Sequence, residues 1–227
     1  MADLRQQVIA VTSPYVNAFI VRDRKSIIVD TGLPGFGEKI LQAVEEHDIK
    51  YADISLIIIT HGHDDHYGSA AFLKSRIGAP LAVGSADAQT LRTAASAPLH
   101  PVGTKGKVME MMSRMIKVPG TEAVEPDIVI DSEVSLADYG VAGKIILIPG
   151  HTMGSLGVML DDRSILIGDL IFGGLLRPKA PGFPYFCEDV PALMKSIQKV
   201  LDLNPSIMYA AHGGPFTPEA VKRKFFG

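Results

Sequence analysis

The sequence predicts an α/β protein built as a four-layer αββα sandwich, and three observations point there. A meander of short β-branched segments gives way to alternating helical and strand patterns. A hairpin-like stretch ending in aspartate occurs twice, once in each half of the chain. A length of 227 residues with 47% hydrophobic side chains is enough to bury a full core, so residues 1–227 are expected to form one domain.

The elements follow in order. Val8 to Thr12, Val16 to Val21 and Ser26 to Val29 are apolar and β-branched, with Pro14 and the charged run Arg22 to Lys25 at the turns, which predicts three antiparallel strands. Gly37 to Glu46 places Ile40, Leu41 and Val44 at helical spacing. Ile54 to Ile59 is a continuous apolar strand of the kind buried on both faces. His66 to Ile77 reads as helix, Leu81 to Val83 as a short strand, and Ser85 as the cap of a helix reaching about Ala95. From Pro98 to Pro126 the pattern breaks, and this stretch is expected to be a variable insertion with a methionine-rich segment from Lys107 to Lys117. Strands return near Lys144 to Ile148, Gly157 to Leu160 and Ser164 to Ile167, followed by a Gly- and Pro-rich loop from Gly173 to Pro184. A helix from Val190 to Leu201, a strand from Ile207 to Ala210 and a short terminal helix complete the chain.

The repeat carries the architecture. Phe19 to Asp30 (FIVRDRKSIIVD) resembles Val158 to Asp169 (VMLDDRSILIGD), with one residue fewer in the turn. Two equivalent halves, each a twisted sheet covered by helices, stack as four layers.

The chemistry concentrates in Thr60 to His66 (THGHDDH), directly after the buried strand. A strand end opening into a loop can turn His61 and His63 toward one point, while Asp65 and His66, near the next helix start, face another. Two adjacent metal sites are the natural outcome, and a carboxylate at a helix N-terminus is favoured as the anion by roughly 0.3 to 1 kcal/mol. His151, Asp169 and His212 also lie just after predicted strands, so loops at one sheet edge can gather them, and five of the seven histidines belong to this set. His47 and His100 read as surface residues. Imidazole and carboxylate donors without thiolate suit two zinc ions, with iron or manganese also compatible.

At these residues the chain resembles the metallo-β-lactamase superfamily, from Asp30 to the Ala211-His212-Gly213 stretch. The resemblance implies that His61, His63 and His151 hold a first metal, that Asp65, His66 and His212 hold a second, and that Asp169 bridges them. It implies a buried supporting role for Asp30, beside the ordinary alternative that Asp30 caps its own turn. The implied activity is hydrolysis of an ester, thioester or lactone of a small molecule by a metal-bridging hydroxide, with Asp65 and Asp169 as catalytic residues. A mononuclear iron persulfide dioxygenase on the same fold is the alternative. Within the superfamily the chain most resembles acyl-homoserine lactonases in ligand set and size, and shares the ligand set with glyoxalase II. The latter adds a C-terminal helical region, and the 15 residues after His212 count against a glutathione thioesterase.

Tyr185 and Phe183, soon after Asp169, are candidate substrate contacts, although loop packing is their ordinary role. Met109, Met112 and Met115 have helical spacing, which signals core or lid packing. Cys187 is the single cysteine and reads as a partly buried small hydrophobe rather than a catalytic thiol. A formal net charge of -3 without a basic cluster argues against nucleic acid. The apolar runs are too short to cross a bilayer, no secretory pattern opens the chain, and a cytoplasmic location is expected.

Overall fold

Continuous β-branched runs need burial on both faces, and the computed structural model, which describes residues 6–113, 115, 120–174 and 177–227, supplies it with stacked sheets. The first sheet opens with the meander β1 (Gln7–Thr12), β2 (Asn17–Arg22) and β3 (Ser26–Val29). After helix α1 (Gly37–Glu46), β4 (Ile54–Ile59) adds parallel to β3. Helices α2 (Asp64–Tyr67) and α3 (Ala70–Ile77) lead to β5 (Leu81–Gly84), and α4 (Ala88–Thr93) and α5 (Gly103–Ser113) to β6 (Ile128–Ile130). These strands pair in sequence order as one six-stranded sheet.

The second sheet takes β7 (Val134–Ser135), β8 (Gly143–Leu147), β9 (Leu156–Leu160) and β10 (Ser164–Leu166). An antiparallel ribbon of β11 (Phe172–Gly174) and β12 (Arg177–Gly182) follows, then α6 (Val190–Asp202), β13 (Ile207–Tyr209) and α7 (Pro218–Phe225). The order is β13-β10-β9-β8-β7, with β13 parallel to β10.

Side chains that alternate across each strand sort into three apolar layers. Ile27, Val29, Leu56 and Ile58 face Val158, Leu160 and Leu166 between the sheets. Ile28, Ile57 and Ile59 point the other way, onto Ile40, Leu41 and Val44 of α1 and Leu73 of α3. Ile146, Ile165 and Ile167 meet Leu193, Ile197 and Val200 of α6 and Val221 of α7. The result is the expected αββα sandwich. The two repeated stretches form the hairpins β2-β3 and β9-β10, and each second strand gains a parallel neighbour, β4 or β13.

Several local expectations are corrected. The helix read from His66 to Ile77 is broken around Ser69, whose hydroxyl donates to Leu33 O at 2.7 Å and accepts from Gly37 N at 3.0 Å, tying the break to the loop before α1. Ser85 caps nothing with its side chain. It opens a 3₁₀ turn, and α4 starts at Ala88. The Gly- and Pro-rich stretch after Gly173 is mainly the β11-β12 ribbon, where Pro178 and Pro181 are tolerated because a two-stranded ribbon consists of edges. The residues 98–126 contain α5, and Met112 and Met115 are exposed, at 49% and 80%, so they are not core. Residues 114, 116 and 117 of the methionine segment and residues 1–5 of the N-terminal reading lie outside the described residues. The short strands β6 and β7 escaped the sequence pattern because two or three residues carry no period.

Among the described residues no helix is long and apolar enough to cross a membrane. Cys187 is buried, as the hydrophobe reading expects.

Candidate metal centre

The donors lie on four loops at one edge of the sandwich. β4 ends at Ile59, and the next turn presents His61 and His63 before α2 presents Asp65 and His66. In the other sheet β8, β10 and β13 run the same way, and the segments after them carry His151, Asp169 and His212. A strand fixes its last residues by ladder hydrogen bonds, so chain exits on one edge put these side chains within reach of one another. They form two groups whose donor atoms lie within 4.8 Å: His61, His63, His151 and Asp169 in one, Asp65, His66 and His212 in the other. Asp169 touches both. Its Oδ2 is 3.3 Å from His151 Nε2 and 3.3 Å from His212 Nε2, and its Oδ1 is 3.4 Å from His66 Nε2.

The outer nitrogens of His61, His66, His151 and His212 are tied down, which fixes their inner ones. His151 Nδ1 donates to Phe186 O at 2.8 Å, and His212 Nδ1 donates to Tyr15 O at 2.7 Å. His66 Nδ1 donates to Asp30 Oδ2 at 2.8 Å. Thr60 Oγ1 also donates to Asp30 Oδ2, at 2.8 Å, and lies 3.1 Å from His61 Nδ1, placed to accept its proton. Asp30, 1% exposed, thus orients His66 directly and His61 through Thr60, and its Oδ1 accepts from Thr60 N at 2.7 Å. Its backbone φ of 61° is left-handed, a conformation aspartate tolerates better than most residues. The supporting role is the one the geometry matches.

The residues present fit a pair of metal ions. With their outer nitrogens donating, His61 and His151 each turn a bare Nε2 inward, and His63 Nδ1 is 3.0 Å from both. A single proton can bridge only one such pair, whereas a cation can satisfy all three lone pairs. Among the described residues His66 Nε2 and Asp169 Oδ1 are buried without a hydrogen-bond partner, as metal donors would be.

The electrostatics divide the two groups. Burial drives the His61 basicity far down, and burial lowers His151 to about 3, so both rings are neutral at pH 7. Burial also opposes charge at His212 and His66, but the carboxylates outweigh it. Asp169 and Asp65 raise His212 to about 10, and Asp169, Asp30 and Asp65 hold His66 well above the usual range. Burial would raise Asp169, yet His212, His66 and His151 pull it far down and keep it ionised.

One wall residue escaped the sequence reading. Phe172 is 7% exposed, its ring centroid 4.4 Å from His212 and 6.2 Å from His151. Its position three residues after Asp169 was the available signal. Tyr185 stacks edge-on to Phe172 at 5.6 Å, which puts it at the rim. Phe183 is not brought to the donors. It packs on Phe225 of α7 at 5.5 Å, because the chain there turns under the helix layer. His100 is exposed and His47, partly buried, sits 2.9 Å by its Nδ1 from Ala43 O at the end of α1, so neither joins the cluster.

The family model of the metallo-beta-lactamase superfamily matches residues 12–212. Over 217 residues the chain is 27% identical to the hydroxyacylglutathione hydrolase GloC of Haemophilus influenzae, covering 93% of this chain and 91% of that protein. It is 32% identical over 201 residues to an uncharacterized protein of Aquifex aeolicus, covering 86% and 82%. Among solved structures, the B3 metallo-beta-lactamase BLEG-1 superposes with a TM-score of 0.70 at 19% identity over 97% of this chain and 98% of that one, a likeness of fold alone.

Proposed function

Since the chain belongs to the metallo-beta-lactamase superfamily, we propose that it is a dinuclear metal hydrolase, with zinc as the preferred ion, acting on a thioester, ester or lactone of a small molecule. The observation that carries this reading is Asp169 standing between two donor groups, with His151 and His212 each 3.3 Å from one of its oxygens. His61, His63 and His151 would hold one ion, Asp65, His66 and His212 the second, and Asp169 both. When bound, such ions act as Lewis acids and bring the pKa of a coordinated water from 15.7 to about 7, so no serine or cysteine nucleophile is needed.

The chain's own residues do the rest. The neutral rings of His61 and His151 offer lone pairs at pH 7 without first losing a proton. Asp65 is 31% exposed at its side chain and lies 3.3 Å from His212 Nε2 by its Oδ2, so the carboxylate is placed at the edge of the cluster to relay a proton toward a departing thiol or alcohol. Phe172 and Tyr185 give one side of the mouth an aromatic wall that excludes water from the donors and suits an apolar acyl group. The thioester leads the substrate classes because a relative matched over most of its length is named for hydrolysing hydroxyacylglutathione. The mononuclear iron alternative would use His61, His151 and Asp169 and leaves Asp65, His66 and His212 without a role.

The test is a panel of thioester, lactone, phosphodiester and β-lactam substrates on metal-quantified protein, with Asp169→Ala alongside. Two ions per chain, thioester or lactone turnover abolished by chelation, and loss of both in Asp169→Ala are expected. Turnover indifferent to chelation, or oxygen consumption with a persulfide, would overturn the hydrolase reading. An Asp169→Ala protein with two ions and full turnover would remove the bridging role.

A further inference from the structure

The loops after β4 and β8 belong to different sheets; the backbone bond from Leu156 N to Thr60 O at 2.8 Å joins their roots but not the stretches that carry His63 and His151. One carboxylate outside the donor set spans that gap. Asp87, 4% exposed, ends the 3₁₀ turn that follows β5. It stands at the N-cap of α4, where an aspartate ordinarily accepts from the first helical N–H groups, yet its side chain makes no capping bond. Its Oδ2 instead accepts from Gly62 N at 2.9 Å and from the Thr152 hydroxyl at 2.7 Å. Gly62 separates His61 from His63, and Thr152 follows His151. Thr152 Oγ1, its proton given to Asp87, is left to accept from Ser155 Oγ at 2.9 Å, and Ser155 Oγ accepts from Thr152 N at 3.1 Å.

The close approach is built into the backbone. A Cβ on Gly154 would sit 2.6 Å from Asp87 Cγ, and one on Gly84 would sit 1.9 Å from Gly154 O. Glycine at both positions lets the end of β5, the Asp87 turn and the His151 loop press together.

We propose that Asp87 is a positioning residue for the first metal site, clamping the His61-His63 loop and the His151 loop on one carboxylate oxygen. The clamp holds His63 Nδ1 and His151 Nε2 at their 3.0 Å separation, ready to share one cation. This inference rests on reading the cluster as a metal centre. Hydrogen bonds to a buried carboxylate are among the strong ones, and groups that orient ligands without touching the ion change metal affinity by roughly 10- to 100-fold.

The test compares wild type, Asp87→Ala, Asp87→Asn, Thr152→Val and the Asp87→Ala/Thr152→Val double variant. Each is loaded with zinc and titrated against a chromophoric chelator, and the cobalt-substituted forms are compared by their visible bands. Asp87→Ala should weaken one of the two ions by roughly 10- to 100-fold and shift the cobalt bands. The double variant should be no weaker than Asp87→Ala, since both changes open one clamp, and Asp87→Asn, which keeps one acceptor oxygen, should recover part of the affinity. Wild-type affinity and unchanged bands in Asp87→Ala would overturn the proposal, as would independent addition of the two single effects. If Asp87→Ala does not fold, Asp87→Asn and Thr152→Val make the same comparison, and wild-type affinity in both overturns it. A wild-type protein that takes up no metal sinks the metal-centre reading and this inference with it, whereas normal wild-type uptake matched by the variants sinks this inference alone.

Discussion

Replacing Asp30 by asparagine exchanges one carboxylate oxygen for an NH₂ behind the donor cluster, and the structure says which metal site should suffer. The carboxylate accepts three hydrogen bonds, from Thr60 N, Thr60 Oγ1 and His66 Nδ1, at 2.7, 2.8 and 2.8 Å. An amide offers one oxygen and one NH₂, so one side must meet a donor. The Thr60 backbone N–H cannot become an acceptor, so the amide oxygen stays on it and the NH₂ faces the other side. There the hydroxyl can rotate, and His66 can accept only by moving its proton to Nε2. That move removes the lone pair His66 offers to the second group, while His61 can still donate to the rotated hydroxyl. The network relaxes this way when the ion is bound; in the metal-free fold, where Asp30 helps keep His66 protonated, the lost charge-assisted bond should cost about 2 kcal/mol, a fall of roughly 4–8 °C in Tm. The second ion should weaken by roughly 10- to 100-fold, the usual scale for an outer hydrogen bond to a metal-binding histidine. Chelator competition on both zinc equivalents, with nitrogen NMR to read the His66 tautomer, makes the comparison. Two equivalents held with wild-type affinity in Asp30→Asn would refute the tautomer mechanism.

Two further outcomes follow from the charge states. Filling the second group must displace protons from His66 and His212, which the carboxylates raise, whereas His61 and His151 are already neutral; occupancy of the second site should climb between pH 6 and 9 while the first changes little, and equal dependence in metal-content measurements at fixed free zinc would contradict this. In the metal-stripped protein the same His212 has its folded pKa raised to about 10, so its contribution to stability is complete below 6.5 and is lost as pH rises through about 10, readable as a falling Tm over that window. Cys187 is raised by burial to about 11 from 9.0, and its Sγ donates to Gly150 O at 3.2 Å; its thiolate fraction at pH 8 should be about 100-fold below that of the unfolded chain, with thiol-reagent labelling slowed at least as much, and labelling within about threefold of the denatured rate would show the thiol to be accessible.

Much of the site was legible because its donors are local in sequence. His61, His63, Asp65 and His66 crowd six positions at the end of an apolar strand, and the repeated hairpins put Asp30 and Asp169 at matching points of the sequence. Phe172 was legible only by its place three residues after Asp169. An aromatic residue near a predicted strand end reads as core until a partner ring, here that of His212, comes within 4.4 Å. Asp87 was silent, since an aspartate just before a helix reads as a cap.

The sequence by itself determined the sandwich, through apolar periods and a repeat, and the donor types, through residues whose chemistry does not depend on neighbours. The tertiary structure decided the rest. Which nitrogen of His61, His151, His212 and His66 faces inward depends on hydrogen bonds that these rings donate to Thr60, Phe186, Tyr15 and Asp30, residues 1 to 197 positions away along the chain. Likewise the protonation that separates the neutral first group from the cationic second is set by burial and by carboxylates from other loops, and those distances exist only once two sheets are stacked.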